Sequence, residues 1–237
     1  MKTWVSAKPT VTRPLLRKYR KKASTPPRIP PLDLPALTPL DVSELISYGS
    51  YEAALLTRAD ISGLDLSGAQ FLDCELSIVD AAAPDFSNAR FASTHLDRWN
   101  APEVAARRSA WRNVEVTQSR LGAIELFDAT IRSVRFVGCK IGWLNLRAAR
   151  LQDVEFVDCV FDELDLGQAE VERVRFTECE IRSLRVDQTK LSNLDLRGAH
   201  LAGISGLDNL RGATITMQQA VELIEIFADH LGIQVED

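Results

Sequence analysis

The chain has 237 residues, 46% of them hydrophobic and 26% charged, with a formal net charge of −5. That length suits a single core, and no run approaches the roughly eighteen apolar residues of a transmembrane helix. The N-terminus also lacks the apolar segment of a secretion signal, so the expectation is a cytoplasmic protein with no membrane partner.

Charge is unevenly placed along the chain. Residues 1–32 hold nine Lys/Arg and no acid, whereas residues 33–237 hold nineteen basic and thirty-three acidic residues, a net of −14. The segment TRPLLRKYRKKASTPPRIPP reads as a basic, proline-rich, disordered tail over residues 1–32, poor in any apolar pattern that could pack. Such a tail can touch nucleic acid or an acidic membrane surface, or fold back on the chain's own acidic body. Residues 33–58 read as an N-terminal cap. Within them TPLDVSELISYGS predicts a short helix or turn with Thr38 as N-cap and Gly49 as its stop.

From Ile61 to Leu201 every fifth residue is apolar without exception. Neither a helix nor a flat strand has a period of five, and a short period sustained this long marks a solenoid. Two residues before each large apolar position stands a smaller one, and this second series cycles every four pentads, as in Leu144, Ala149, Val154 and Cys159. Four pentads make a coil of twenty residues with four short sides. Phe136, Phe156 and Phe176 then form a ladder of rings about 4.8 Å apart. Tyr51 and Leu56 carry the register backwards from residue 59. Ala81, Ala101 and Ala106 replace large residues beside Pro84 and Pro102, so a weakened side, bulge or excursion is expected over 80–110, one that preserves the count. Near Gly206 the series fails, and Leu210 and Ile215 resume it shifted by one residue.

The segments ADISGLDLSGAQF, KIGWLNLRAARL and KLSNLDLRGAHL resemble the pentapeptide-repeat family. The resemblance implies an all-β solenoid over 59–204, a right-handed quadrilateral parallel β-helix of about seven coils. Residues 205–237 read as an irregular last coil and a C-terminal α-helical cap, because the exposed end of a solenoid must be covered. In TMQQAVELIEIFADHLG, Thr216 is the expected N-cap and Gly232 lies just past the end. Met217, Ala220, Val221, Ile224, Phe227, Ala228 and Leu231 share one face, with Leu223 widening it and Ile226 off it. That excess of apolar surface, together with the resemblance to quinolone-resistance members, implies a homodimer through Leu223, Ile224, Ile226, Phe227 and Leu231. Leu223 and Ile226 are the extra surface, unless IQV at 233–235 covers them.

No catalytic, cofactor or metal constellation emerges. His95, His200 and His230 are far apart, and Asp60, Asp65, Asp165 and Asp195 read as turn residues. Gly63, Gly68 and Gly198 read as turn glycines. Cys74, Cys139, Cys159 and Cys179 read as buried small hydrophobes. Trp143 and Phe127 at outward positions, with Arg107 and Arg108, are the candidate surface contacts. The expected function is a non-enzymatic scaffold for an unidentified protein partner. The alternative is a dimeric DNA mimic acting on DNA gyrase, a type II topoisomerase, as the resemblance implies; the solenoid itself is not expected to bind duplex DNA. Against mimicry, the column Glu115, Arg135, Glu155, Arg175, Asp195 alternates in sign and is expected to neutralise itself along a ladder.

Overall fold

A computed structural model describes residues 24–236. Among the described residues, eighteen strands join in one continuous sheet, paired in parallel, that winds into a solenoid of about nine turns closed by two short helices. Residues twenty apart stack, as in Phe136↔Phe156↔Phe176 and Leu144↔Leu164. Nine turns exceed the seven expected because the wall runs past both ends of the unbroken register. Tyr51 pairs with Phe71, Thr38 with Ala54, and Leu194 with Ala213. The last pairing spans nineteen residues rather than twenty, which accounts for the shift of Leu210 and Ile215.

The interior is filled by the two inward positions of each pentad. Phe136, Phe156 and Phe176 stack with ring centroids 5.1 and 4.9 Å apart. A second ladder, Tyr51, Phe71, Phe91 and Trp111, has spacings of 5.0, 5.2 and 4.7 Å. All four cysteines are buried free thiols. The Cys159 thiol contacts the Phe136 and Val157 carbonyls, and its stacked neighbours Cys139 and Cys179, with burial, hold it above its ordinary range.

No loop leaves the wall over residues 80–110. The strand Arg90–Ala105 runs through it unbroken, with a one-residue bulge: Asp80 faces Asn100, Ala82 faces Glu103, and Asp85 faces Ala105 again. The count is thus preserved. Small Ala101 and Ala106 are offset by Trp99 and Trp111, which turn inward and are 4% and 7% exposed. Trp99 Nε1 donates to the Leu76 carbonyl at 2.9 Å, and Trp111 Nε1 to Ser109 Oγ at 2.8 Å. The exchange of volume leaves an apolar interior cavity of about 30 Å³ between Leu96, Trp99, Trp111 and Leu121.

Both ends are covered. The 3-10 turn Val42–Glu44 is capped by Asp41 through a reciprocal bond with Glu44; Thr38, expected as the N-cap, instead pairs as strand. At the other end the expected single helix is two, α1 (Met217–Glu222) and α2 (Ile224–Leu231), joined at Leu223. Thr216 caps α1 and left-handed Gly232 ends α2, both as expected. Gln219 seals the last coil by donating to the Leu196 and Ala199 carbonyls, each at 2.6 Å.

Residues 1–23 of the basic segment lie outside the described residues. Residues 24–37, expected to be solvated up to residue 32, instead lie along the wall without helix or strand. The Thr25 N–H donates to Asn193 Oδ1 at 3.4 Å and the Arg28 N–H to Asp153 Oδ1 at 2.9 Å. Thr38 then pairs with Ala54. Asn193, Asp153 and Ala54 lie progressively nearer the first coil, so this proline-rich strap runs against the direction of winding. Pro27, Ile29, Leu32, Leu34 and Leu37 are its less exposed apolar side chains.

Candidate interaction surfaces

The residues that looked chemical are occupied by the architecture. Asp60, Asp65 and Asp165 accept the N–H of the residue two further on, at 2.9, 2.9 and 2.8 Å, and Asp195 accepts that of Arg197 at 3.2 Å. These are the side-chain turns that tie a corner. Gly63 and Gly68 hold φ of +68°, the left-handed backbone that glycine tolerates. Gly198 has no such φ; a Cβ there would lie 2.5 Å from the Phe176 carbonyl oxygen, so close approach of the preceding coil explains it. His95 contacts Thr117 at 2.9 Å and His230 contacts Asp208 at 3.1 Å, in different coils. Among the described residues no His, Cys, Asp or Glu side chains are grouped to hold a metal, and no helix is long and apolar enough to cross a membrane.

The expected alternating ladder is present from Glu115 to Arg175, while Asp195 pairs with Arg197 at its own corner instead. Arg135 reaches Glu115 at 3.2 Å and Glu155 at 3.1 Å, and Arg175 Nε donates to Glu155 Oε1 at 2.9 Å. Asp153 takes Arg173 in a two-pronged pair at 2.6 and 2.8 Å. The hydrogen bonds from Arg173 hold the Asp153 carboxyl below its usual range against the effect of burial, with the Arg28 N–H assisting.

The anticipated surface residues do not form one site. Arg107 pairs with Glu125, and Arg108 Nε donates to Asn88 Oδ1 at 3.1 Å. Phe127 is 39% exposed and Trp143 half-buried, and neither ring stacks on another among the described residues. On the terminal helices the inward and outward faces differ from expectation. Leu223 is 2% exposed, and Ile226 and Phe227 pack on the core, so Leu223 and Ile226 are cap contacts rather than spare surface. The reason is the break at Leu223, where the backbone leaves helical geometry (ψ of 6°). The spare apolar stripe is Met217, Val221, Ile224 and Leu231, exposed by 53 to 81%.

Because residue number advances along the axis, charge segregates into rings. Residues 33–85 hold one basic and ten acidic residues, net −9; residues 86–142 hold nine and five, net +4; residues 143–237 hold nine and eighteen, net −9. In the last band cations are paired, as in Arg147–Asp165, Arg182–Asp162 and Lys190–Glu170. In the middle band Arg112 faces Arg132 and Arg120 faces Lys140 across adjacent coils. All four are exposed, and none has an acidic partner within 4 Å among the described residues. This signal was available from the sequence by applying the twenty-residue period to outward positions.

Residues 129–205 match the family model described as a pentapeptide repeat region. That match, with the coil geometry above, supports a distant resemblance to pentapeptide-repeat proteins. No curated protein is similar to it in sequence. Solved structures similar to it include full-length QnrB1, a plasmid-mediated fluoroquinolone resistance protein. That structure is 19% identical, with 80% of this chain and 94% of that chain covered and a TM-score of 0.29. A trypsin-treated QnrB1 variant is 18% identical over 84% of this chain and 96% of that one, with a TM-score of 0.33. HetL is a pentapeptide repeat protein involved in heterocyst differentiation regulation from the cyanobacterium Nostoc sp. strain PCC 7120. It is 17% identical over 73% of this chain and 91% of that one, with a TM-score of 0.28.

Proposed function

We propose that this protein is a non-enzymatic interaction scaffold whose filled rod presents long outer faces to a protein partner. The observation that carries the reading is the division of labour between positions: inward residues fill the core, and turn carboxylates hold corners. Variable chemistry is left to the outward positions, and interaction solenoids use their surfaces in this way. A cytoplasmic location belongs to the same reading, supported by four unpaired, buried thiols. A homodimer formed through the stripe Met217, Val221, Ile224 and Leu231 also belongs to it. DNA mimicry directed at gyrase is the weaker reading, since the +4 ring interrupts any continuous acidic field. Cross-linking capture with the full chain should enrich the same partner in independent repeats, and supercoiling by gyrase should be unaffected at micromolar protein. Absence of any reproducible partner would remove the scaffold reading, and inhibition of supercoiling would restore the mimic.

A further inference from the structure

Like charges directly opposed across a ladder cost stability, so each such pair requires a reason. For the acidic pairs the reason is local. Asp60 faces Asp80, and Asp65 faces Asp85, but Asp60, Asp65 and Asp85 each accept a backbone N–H at their own corner, and Asp80 accepts Asn100 Nδ2 at 3.0 Å. Arg120 and Lys140 have no such role. They make no side-chain hydrogen bond or ion pair among the described residues, and they stand side by side on one face.

Beside them runs an open furrow of about 830 Å³ along the axis. Arg120 and Lys140 lie in its Asn100 half and the Arg182–Asp162 pair and Glu180 in the other, so its unpaired positive charge is confined to the first half. Its floor is low because a Cβ at Gly122 or Gly142 would lie 2.2 or 2.5 Å from a carbonyl oxygen of the preceding coil. Packing therefore explains the glycines; nothing in the packing explains the two cations over them. Trp143, next along the strand, sits between Ala123 and Glu163 in the neighbouring coils. Four coil spacings give the furrow a length of about 19 Å, room for about six residues of extended chain.

We propose that Arg120 and Lys140 in this furrow, with Trp143 at its margin, form a docking site for an extended, acidic segment of a partner protein. The site rests on the scaffold reading above and gives the partner its chemistry. Its two cations match closely spaced carboxylates, and the ring would rest against the segment's backbone or apolar side chains. A nucleic acid fits poorly. Phosphate contacts carry most of a nucleic acid's affinity, and the site offers only two adjacent cations.

The test uses the full chain and a fluorescein-labelled peptide of alternating Asp and Glu, six residues long. Its Asn/Gln counterpart and a single-stranded hexathymidine are the controls, and anisotropy is read at low salt. The acidic peptide should bind at least tenfold more tightly than either control. The Arg120→Glu/Lys140→Glu variant should lose at least tenfold, and the milder Arg120→Gln/Lys140→Gln variant should lose affinity in the same direction at a melting temperature no lower than that of wild type, since it removes the opposed charges. Reversal of Arg112 and Arg132 should leave affinity unaltered. Affinity retained in the Arg120/Lys140 variants would place binding elsewhere, on the basic residues 1–23 for example, and overturn the site. Tighter binding of the oligonucleotide would overturn it too. A protein captured equally by wild type and by the Arg120/Lys140 variant would overturn the site while leaving the scaffold reading in place.

Discussion

At most pentad corners an ordinary L-residue holds the left-handed backbone: Asp128, Ser133, Ala148, Asp153 and Asp158 have φ between 51° and 58°. Each costs on the order of 1 kcal/mol, offset by the coil-to-coil hydrogen bonds that the corner aligns. Ala148 is such a case, its N–H donating to the Gly167 carbonyl at 2.9 Å. A branched Cβ there worsens the clash, so Ala148→Val should destabilise by roughly 1–2 kcal/mol, whereas Ala148→Gly should be neutral or slightly stabilising. Urea unfolding of both variants checks this, and equal effects would discount corner strain. The sequence marks these corners only where glycine stands, as at Gly63 and Gly68. Asp, Ser, Arg and Gln are ordinary surface residues, and the solenoid rather than their own preference imposes the conformation.

The strap of residues 24–37 and the terminal helices are elements whose placement depends on their neighbours. The strap is anchored at Asp153, whose carboxyl is also gripped by Arg173. Since its folded-state pKa lies below the unfolded value near 3.9, the anchor contributes fully above that pH. Its contribution is lost as pH falls through the lower, folded-state value. The melting temperature should therefore hold between pH 7 and about pH 5 and drop below about pH 4, with a smaller acid drop in Asp153→Asn. The same variant should open residues 24–32 to limited proteolysis at neutral pH. An unchanged acid drop and unchanged cleavage would show that the strap is held elsewhere. Proline content and missing periodicity make this strap look solvated, because its partners are single groups scattered over a wall more than a hundred residues away.

The whole molecule is a rod with a spare apolar stripe at one end and a cationic ring between acidic bands. Met217 and Val221 are i, i+4 neighbours on α1, and Ile224 and Leu231 are i, i+7 neighbours on α2; their exposure suits burial against a second copy related by two-fold symmetry. Sedimentation equilibrium at micromolar concentration should give a dimer, and Val221→Asp/Ile224→Asp a folded monomer. A monomeric wild type would refute the pairing. The sequence by itself determined the four-sided coil, its twenty-residue stacking, the inward cysteines and aromatic ladder, the caps at Thr216 and Gly232, and the one-residue shift near Gly206. These follow from periodicity, because each coil is held by its immediate neighbours and the rule is local. Only the tertiary structure decided that Trp99 and Trp111 refill the space left by alanines, that Leu223 and Ile226 face the core, and that the strap lies along the rod. Those depend on which volumes and carbonyls happen to meet across coils, or between distant segments, and no repeat encodes them.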